Sequence, residues 1–232
     1  MSQPSTPLTK DHAMAVDSQL GGGRPGLGWW LLALAATGVA AYGLLLQDAR
    51  PRRQTVPGLP WLDAVHFLAG GIALAIGIWA FRRDVLRRWP QLHRRCGQLY
   101  VVAVLASGGA GLGLALFSAG GVAGHLGFTV LALAWLATTL RGWQCIHRGA
   151  VLAHRRWMVH SYALCCAAIS LRLQLPICFG CGLTVDTTFA LVAWSCWLPN
   201  TAIAAGWLRA TDAAGRWRVA APPAPAPPAA PV

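Results

Sequence analysis

The sequence predicts an all-α fold: an integral membrane bundle of six transmembrane helices, with N and C termini cytoplasmic. Three observations carry that expectation. Hydrophobic residues make up 56% of the 232 positions and charged residues 11%, against about 25% charged in a soluble domain. The apolar residues fall into runs of about the 20 residues that a bilayer core requires. The cations gather at alternate ends of those runs. This balance excludes a disordered chain, a coiled coil and an ordinary cytosolic enzyme. The net charge of +12 does not describe a nucleic-acid binder, because most of the cations flank apolar runs instead of lining one face. Eighteen of the nineteen are Arg and all seven acids are Asp. An Ala-, Gly-, Pro- and Arg-rich chain of this kind points to a GC-rich bacterial genome, and so to the bacterial inner membrane.

Taken in order, residues 1–27 are polar and broken by Pro4, Pro7, Gly21, Gly22, Gly23 and Pro25, which reads as a flexible tail. Their apolar run starts too late for a cleaved signal peptide. The membrane domain spans residues 28–208, with helices at about 28–47, 60–81, 97–118, 122–143, 155–175 and 186–208. Pro60 suits a helix start, Pro90 offers an earlier start for the third helix, and Pro176 is expected to end the fifth. Residues 209–232 are basic and then Pro/Ala-rich, a polyproline-type tail that buries no core.

Arginine counts set the orientation. Segment 82–95 holds six and segment 141–156 holds four, whereas the turns near 118–124 and 176–186 hold none. The Arg-rich ends are therefore expected in the cytoplasm, bound to anionic lipid headgroups. Segment 48–59 dissents with Arg50, Arg52 and Arg53.

Ionisable groups inside a membrane are costly, so each marks a site to explain. Six of the seven histidines lie in or beside the spans: His66, His93, His125, His147, His154 and His160. His66 and His125 fall near the outer ends of the second and fourth helices. His93 and His154 open the third and fifth at the cytoplasmic side. A b-type haem iron takes two axial ligands from facing helices, and imidazole suits iron. His93 and His154 are thus expected as an inner haem pair, with His66 and His125 as an outer one. Helical stripes agree: His93, Gly97, Tyr100, Val104 and Ser107 share one face, and His154, Met158, Ser161 and Cys165 another. His160 lies about 120° off the second stripe. Equally physical is a plainer reading, in which small residues line helix contacts and the imidazoles bond to carbonyls. Arg94, Arg95, Arg155 and Arg156 suit haem propionates or an anionic electron donor.

Arg172 needs a partner. Asp63 is expected, with Asp186 second. Cys178 and Cys181 form a Cys-x-x-Cys in an outer turn, better read as a local disulfide or inert thiols than as a redox motif. Gly182 stands where a c-type haem site needs His. No P-loop, Ser-His-Asp set or metalloprotease motif occurs.

Two stretches look familiar together. His93-Arg94-Arg95-Cys96-Gly97-Gln98-Leu99-Tyr100 and His154-Arg155-Arg156-Trp157-Met158, followed by Ser161-Tyr162-Ala163-Leu164 and Leu171-Arg172, bracket Gly127-Phe128, Trp135 and Thr139, with Trp197-x-x-Asn200 after them. Over roughly residues 60–208 the chain resembles a bacterial predicted-membrane-protein family catalogued as a domain of unknown function (twenty-three-oh-six). The resemblance implies a membrane topology and no activity. It makes His66, His93, Gly97, Tyr100, His154, Trp157, Met158, Arg172 and Asn200 motif positions. Gln98 and His160 each stand where Arg is expected, and His125 lies outside the motifs. Separately, histidines on alternate helices resemble a cytochrome b561-type helical core, in architecture alone.

These observations rank a b-type haem-binding transmembrane electron-transfer protein first. A haem-free small-molecule or proton transporter, and a structural or accessory membrane subunit, stand as alternatives. Its electron donor and acceptor are open.

Overall fold

The computed structural model describes residues 26–45, 56, 59, 61–82 and 88–213. Residues 1–25, the Arg50–Arg53 segment and residues 214–232 lie outside them, while residues 209–213, expected in the tail, continue the last helix to Ala213. Among the described residues there are eight helical elements and no strand: α1 (Leu27–Leu45), α2 (Trp61–Ala80), α3 (Pro90–Ala115), α4 (Gly121–His147), α5 (Val151–Cys165), α6 (Ala167–Gly180), α7 (Val185–Ser195) and α8 (Leu198–Ala213). α5 and α6 continue as one interrupted rod, and so do α7 and α8, giving six rods in the expected order. Five are long and apolar enough to cross a membrane, and α1 is a shorter apolar helix over Leu27–Tyr42.

The packing follows a ring. α2 packs on α3, α3 on α4, α4 on α5, and α5 back on α2. α1 lies against α2 and α6, α7 against α4 and α6, and α8 against α5 and α7. The core is therefore a four-helix bundle whose opposite corners are α2 with α4 and α3 with α5. Close approach depends on missing side chains. A Cβ on Gly77 of α2 would run into the Tyr162 ring of α5 and sit 3.1 Å from the Tyr100 ring of α3. At the α3–α4 turn Gly120 has φ +95° and lies against the backbone of Ala190, where no L side chain fits.

Several boundaries differ from expectation. α3 begins at Pro90 instead of residue 97, because a proline at the first helical position costs no hydrogen bond. Pro176 does not end the fifth rod. It sits inside α6, which runs on to Gly180, as membrane helices tolerate when freed carbonyls find other donors. The breaks fall elsewhere, at Cys166 and at Cys196–Trp197.

The second break has a traceable cause. Pro199 has no N–H to give the Ser195 carbonyl four residues earlier. Gln174 of α6 supplies one: its Nε2 donates to that carbonyl at 3.2 Å, and the Ser195 hydroxyl donates back to Gln174 Oε1 at 2.9 Å. Asn200 Nδ2 donates to the Cys196 carbonyl at 3.0 Å, and Ser170 donates to Asn200 Oδ1 at 3.2 Å. Replacing Gln174 by Leu is expected to cost about 1 kcal/mol in reversible unfolding. Adding Pro199→Ala restores a backbone donor and should recover part of that loss. Additive losses in the double variant would show that Gln174 does not serve this break.

Candidate functional site

Tyr100 lies seven residues beyond His93, and Ser161 seven beyond His154. Two helical turns therefore separate each hydroxyl from its histidine on the same face. The structure joins the two stripes across the bundle. Tyr100 Oη and Ser161 Oγ are 2.8 Å apart, and Thr139 Oγ1 and Ser161 Oγ 2.6 Å. Thr139 uses its one proton on the Trp135 carbonyl at 2.8 Å. It must then accept from Ser161, which must accept from Tyr100. The sense of the chain is thus Tyr100 to Ser161 to Thr139 to the Trp135 carbonyl. The Trp135 indole N–H is buried without a hydrogen-bond partner among the described residues. Tyr162 Oη donates to the Leu74 carbonyl of α2 at 3.1 Å. All four corner helices meet at this buried knot.

Toward the Arg-rich end the bundle opens onto His93 and His154. His154 Nδ1–H donates to the Gly142 carbonyl of α4 at 2.8 Å, which leaves Nε2 as the free ligand nitrogen. Gly142 permits this approach, since a Cβ there would lie 2.7 Å from Met158 Sδ. His93 is half-buried at the same end of the bundle. Its Nδ1 is buried and has no hydrogen-bond partner among the described residues. One turn along, Gly97 faces open space. α3 and α5 are not packed backbone to backbone as expected. They meet through side chains across the bundle axis.

Arg94 and Arg95 are exposed beside His93. Arg155 and Arg156 turn elsewhere. The Arg155 guanidinium lies 5.0 Å from the Trp207 ring centre, and Arg156 Nη2 pairs with Asp212 Oδ2 at 2.9 Å. Trp207 and Asp212 were not singled out in the sequence. Their signal was there, since Asp212 is an acid among cations at the end of the last helix.

The outer pair is not assembled. His66 Nδ1–H donates to the Ser107 carbonyl at 2.9 Å, Ser107 Oγ–H returns to the His66 carbonyl at 2.8 Å, and Gly111 makes room for the ring. His125 Nε2–H donates to the Ser118 carbonyl at 2.8 Å in the turn before its own helix. His66 is thus tied to α3, and His125 to the turn before its own helix. Among the described residues no group of three His, Cys, Asp or Glu forms a metal cluster.

An Asp63–Arg172 ion pair is not formed among the described residues. Arg172 Nη1 donates to the Ala168 carbonyl at 2.8 Å, and its guanidinium lies 5.7 Å from the Tyr42 ring centre. Asp63 occupies the first turn of α2. Asp186 accepts instead from the Gly120 N–H at 3.2 Å and ties the α3–α4 turn to α7. Cys178 is buried, Cys181 exposed, and both are free thiols. His147 packs edge-on to Trp143.

Ser161→Ala removes the middle of the hydroxyl chain and leaves Tyr100 without its acceptor. It should cost about 1–2 kcal/mol in unfolding. Ser161→Thr keeps the hydroxyl and should cost less than Ser161→Ala. Equal costs would show that packing, not the hydrogen bonds, holds this level.

Among curated proteins and among solved structures nothing matches this chain. The architectural likeness to cytochrome b561 therefore gains no support from them. One family model matches residues 64–208, the span that contains the polar knot and both imidazole levels. That match covers more than half of the sequence, and the chain belongs to the family described as Predicted membrane protein (DUF2306).

Proposed function

We propose that this multi-pass membrane protein binds one b-type haem between His93 and His154 and carries electrons at the cytoplasmic face of a bacterial inner membrane. The observation that carries the reading is the inner imidazole pair. Two histidines stand at the same end of opposite corners of a four-helix core, and one already spends Nδ1–H on a carbonyl. That carbonyl bond fixes the tautomer and orients the ring, as outer-shell partners of haem and metal histidines do. The buried, unpartnered Nδ1 of His93 and the open space at Gly97 fit a group seated between α3 and α5. When bound, the haem supplies a one-electron iron couple.

The chain's own residues do the rest. Arg94 and Arg95 are placed for propionates or for an anionic electron donor. The Tyr100–Ser161–Thr139 chain closes the site two turns deeper. His66 and His125 are left out of the proposal because one is tied to α3 and the other to the turn before its own helix. The haem-free transporter reading meets an obstacle. Leu74 and Val104, 1% and 0% exposed, lie between the hydroxyl knot and the His66–Ser107 level, so a polar path is interrupted by a dry layer.

The deciding experiment is expression with haem supply, followed by reduced-minus-oxidised spectra. Wild type should show Soret and α bands. His93→Ala and His154→Ala should each lose them, and His66→Ala and His125→Ala should keep them. A folded wild type without bands, or bands that survive both inner substitutions, would falsify the assignment.

Orientation has a native probe. Cys181 is exposed at the end opposite the Arg-rich turns, so an impermeant maleimide should label wild type in intact cells and fail with Cys181→Ser. Labelling of Cys96 or Cys145 in its place would reverse the topology.

A further inference from the structure

His154, Arg155 and Arg156 follow one another on α5, so their side chains leave the helix at successive steps of about 100°. Each meets a different group. His154 donates to the Gly142 carbonyl of α4. Arg155 stacks on Trp207, and Arg156 pairs with Asp212, both on α8. A single hydrogen bond holds one point on the circumference of a helix and lets the turn roll about it. Partners on two neighbouring helices do not. α8 follows the break at Cys196–Trp197, and it packs on α5 and α7 alone among the major contacts. Among the described residues Asp212 is the one acid at this end, since Asp63 and Asp186 lie at the other. Arg156 takes this carboxylate, and the pair ties the end of α8 to α5.

We propose that Asp212 and Trp207 are positioning residues for His154. By holding Arg156 and Arg155 they set the rotation of α5 that turns the imidazole toward Gly142 and His93. The two cations thus serve α8 and not the propionates. This inference rests on the inner imidazole pair as the working site, but its test needs no haem.

The full chain in lipid nanodiscs, without added haem, is treated with diethylpyrocarbonate, and carbethoxylation of each histidine is followed by peptide mass spectrometry. In Asp212→Asn the His154 rate should rise roughly two- to fivefold, the scale of an exposed ion pair. Asp212→Glu and the exchanged pair Arg156→Asp with Asp212→Arg should return it to the wild-type rate. His66, clamped to Ser107, should not change in any of them. An unchanged His154 rate in Asp212→Asn overturns the proposal. So does a parallel rise at His66, which would mean general loosening. Loss of the haem reading would be seen separately, as a wild type without bands, while the response of His154 to Asp212 would stand.

Discussion

Ser161 is fully buried and has one proton to give. A lone hydroxyl in that position would cost more than any ordinary packing contact returns. It is held because Tyr100 arrives from α3 and Thr139 from α4 in the only donor order their protons allow. Helices in lipid gain little from hydrophobic burial against one another, so shape and hydrogen bonds decide which faces meet. The Ser161 chain is such a decision: it registers three helices at one depth, and Tyr162, next in sequence, reaches the α2 carbonyl of Leu74 to register the fourth. Everything at the inner end is placed relative to it, because His93 and His154 each stand two turns away on the same stripes.

Around this centre the structure repeatedly uses one device. A backbone carbonyl receives a side chain from a neighbouring element: Gly142 from His154, Ser107 from His66, Ser195 from Gln174, Leu74 from Tyr162. Only one of these carbonyls, that of Ser195, is freed by a proline. The others have a second lone pair to offer. The same geometry thus serves two ends. For His66 and Gln174 it ties helices together. For His154 it commits Nδ1 and leaves Nε2 for another partner, and the proposal of electron transfer rests on the inner pair alone.

The interrupted rods give the bundle its outer layer. α7 packs on α4 and α8 on α5 because the rod turns at Cys196–Trp197, and α6 sits beside α1 and α7 for a similar reason at Cys166. On the sixth rod Asp212 meets Arg156 and Trp207 meets Arg155 at one end, while Asp186 holds the α3–α4 turn at the other.

Sequence by itself determined the membrane class, the order of the six rods, the depth of each histidine and the stripes that carry His93 with Tyr100 and His154 with Ser161. These are properties of one helix at a time: length, hydropathy and a period near 3.6 residues. It did not determine partners. Arg172 was matched to an acid at its own depth, yet it caps the Ala168 carbonyl and faces Tyr42. Arg155 and Arg156 were assigned to an anion and instead hold α8. His66 and His125, level in sequence, engage different carbonyls. Depth follows from counting along a chain. Direction around the bundle depends on how closely backbones approach at Gly77, Gly111 and Gly142 and on where a rod breaks, and only the assembled tertiary structure decides that.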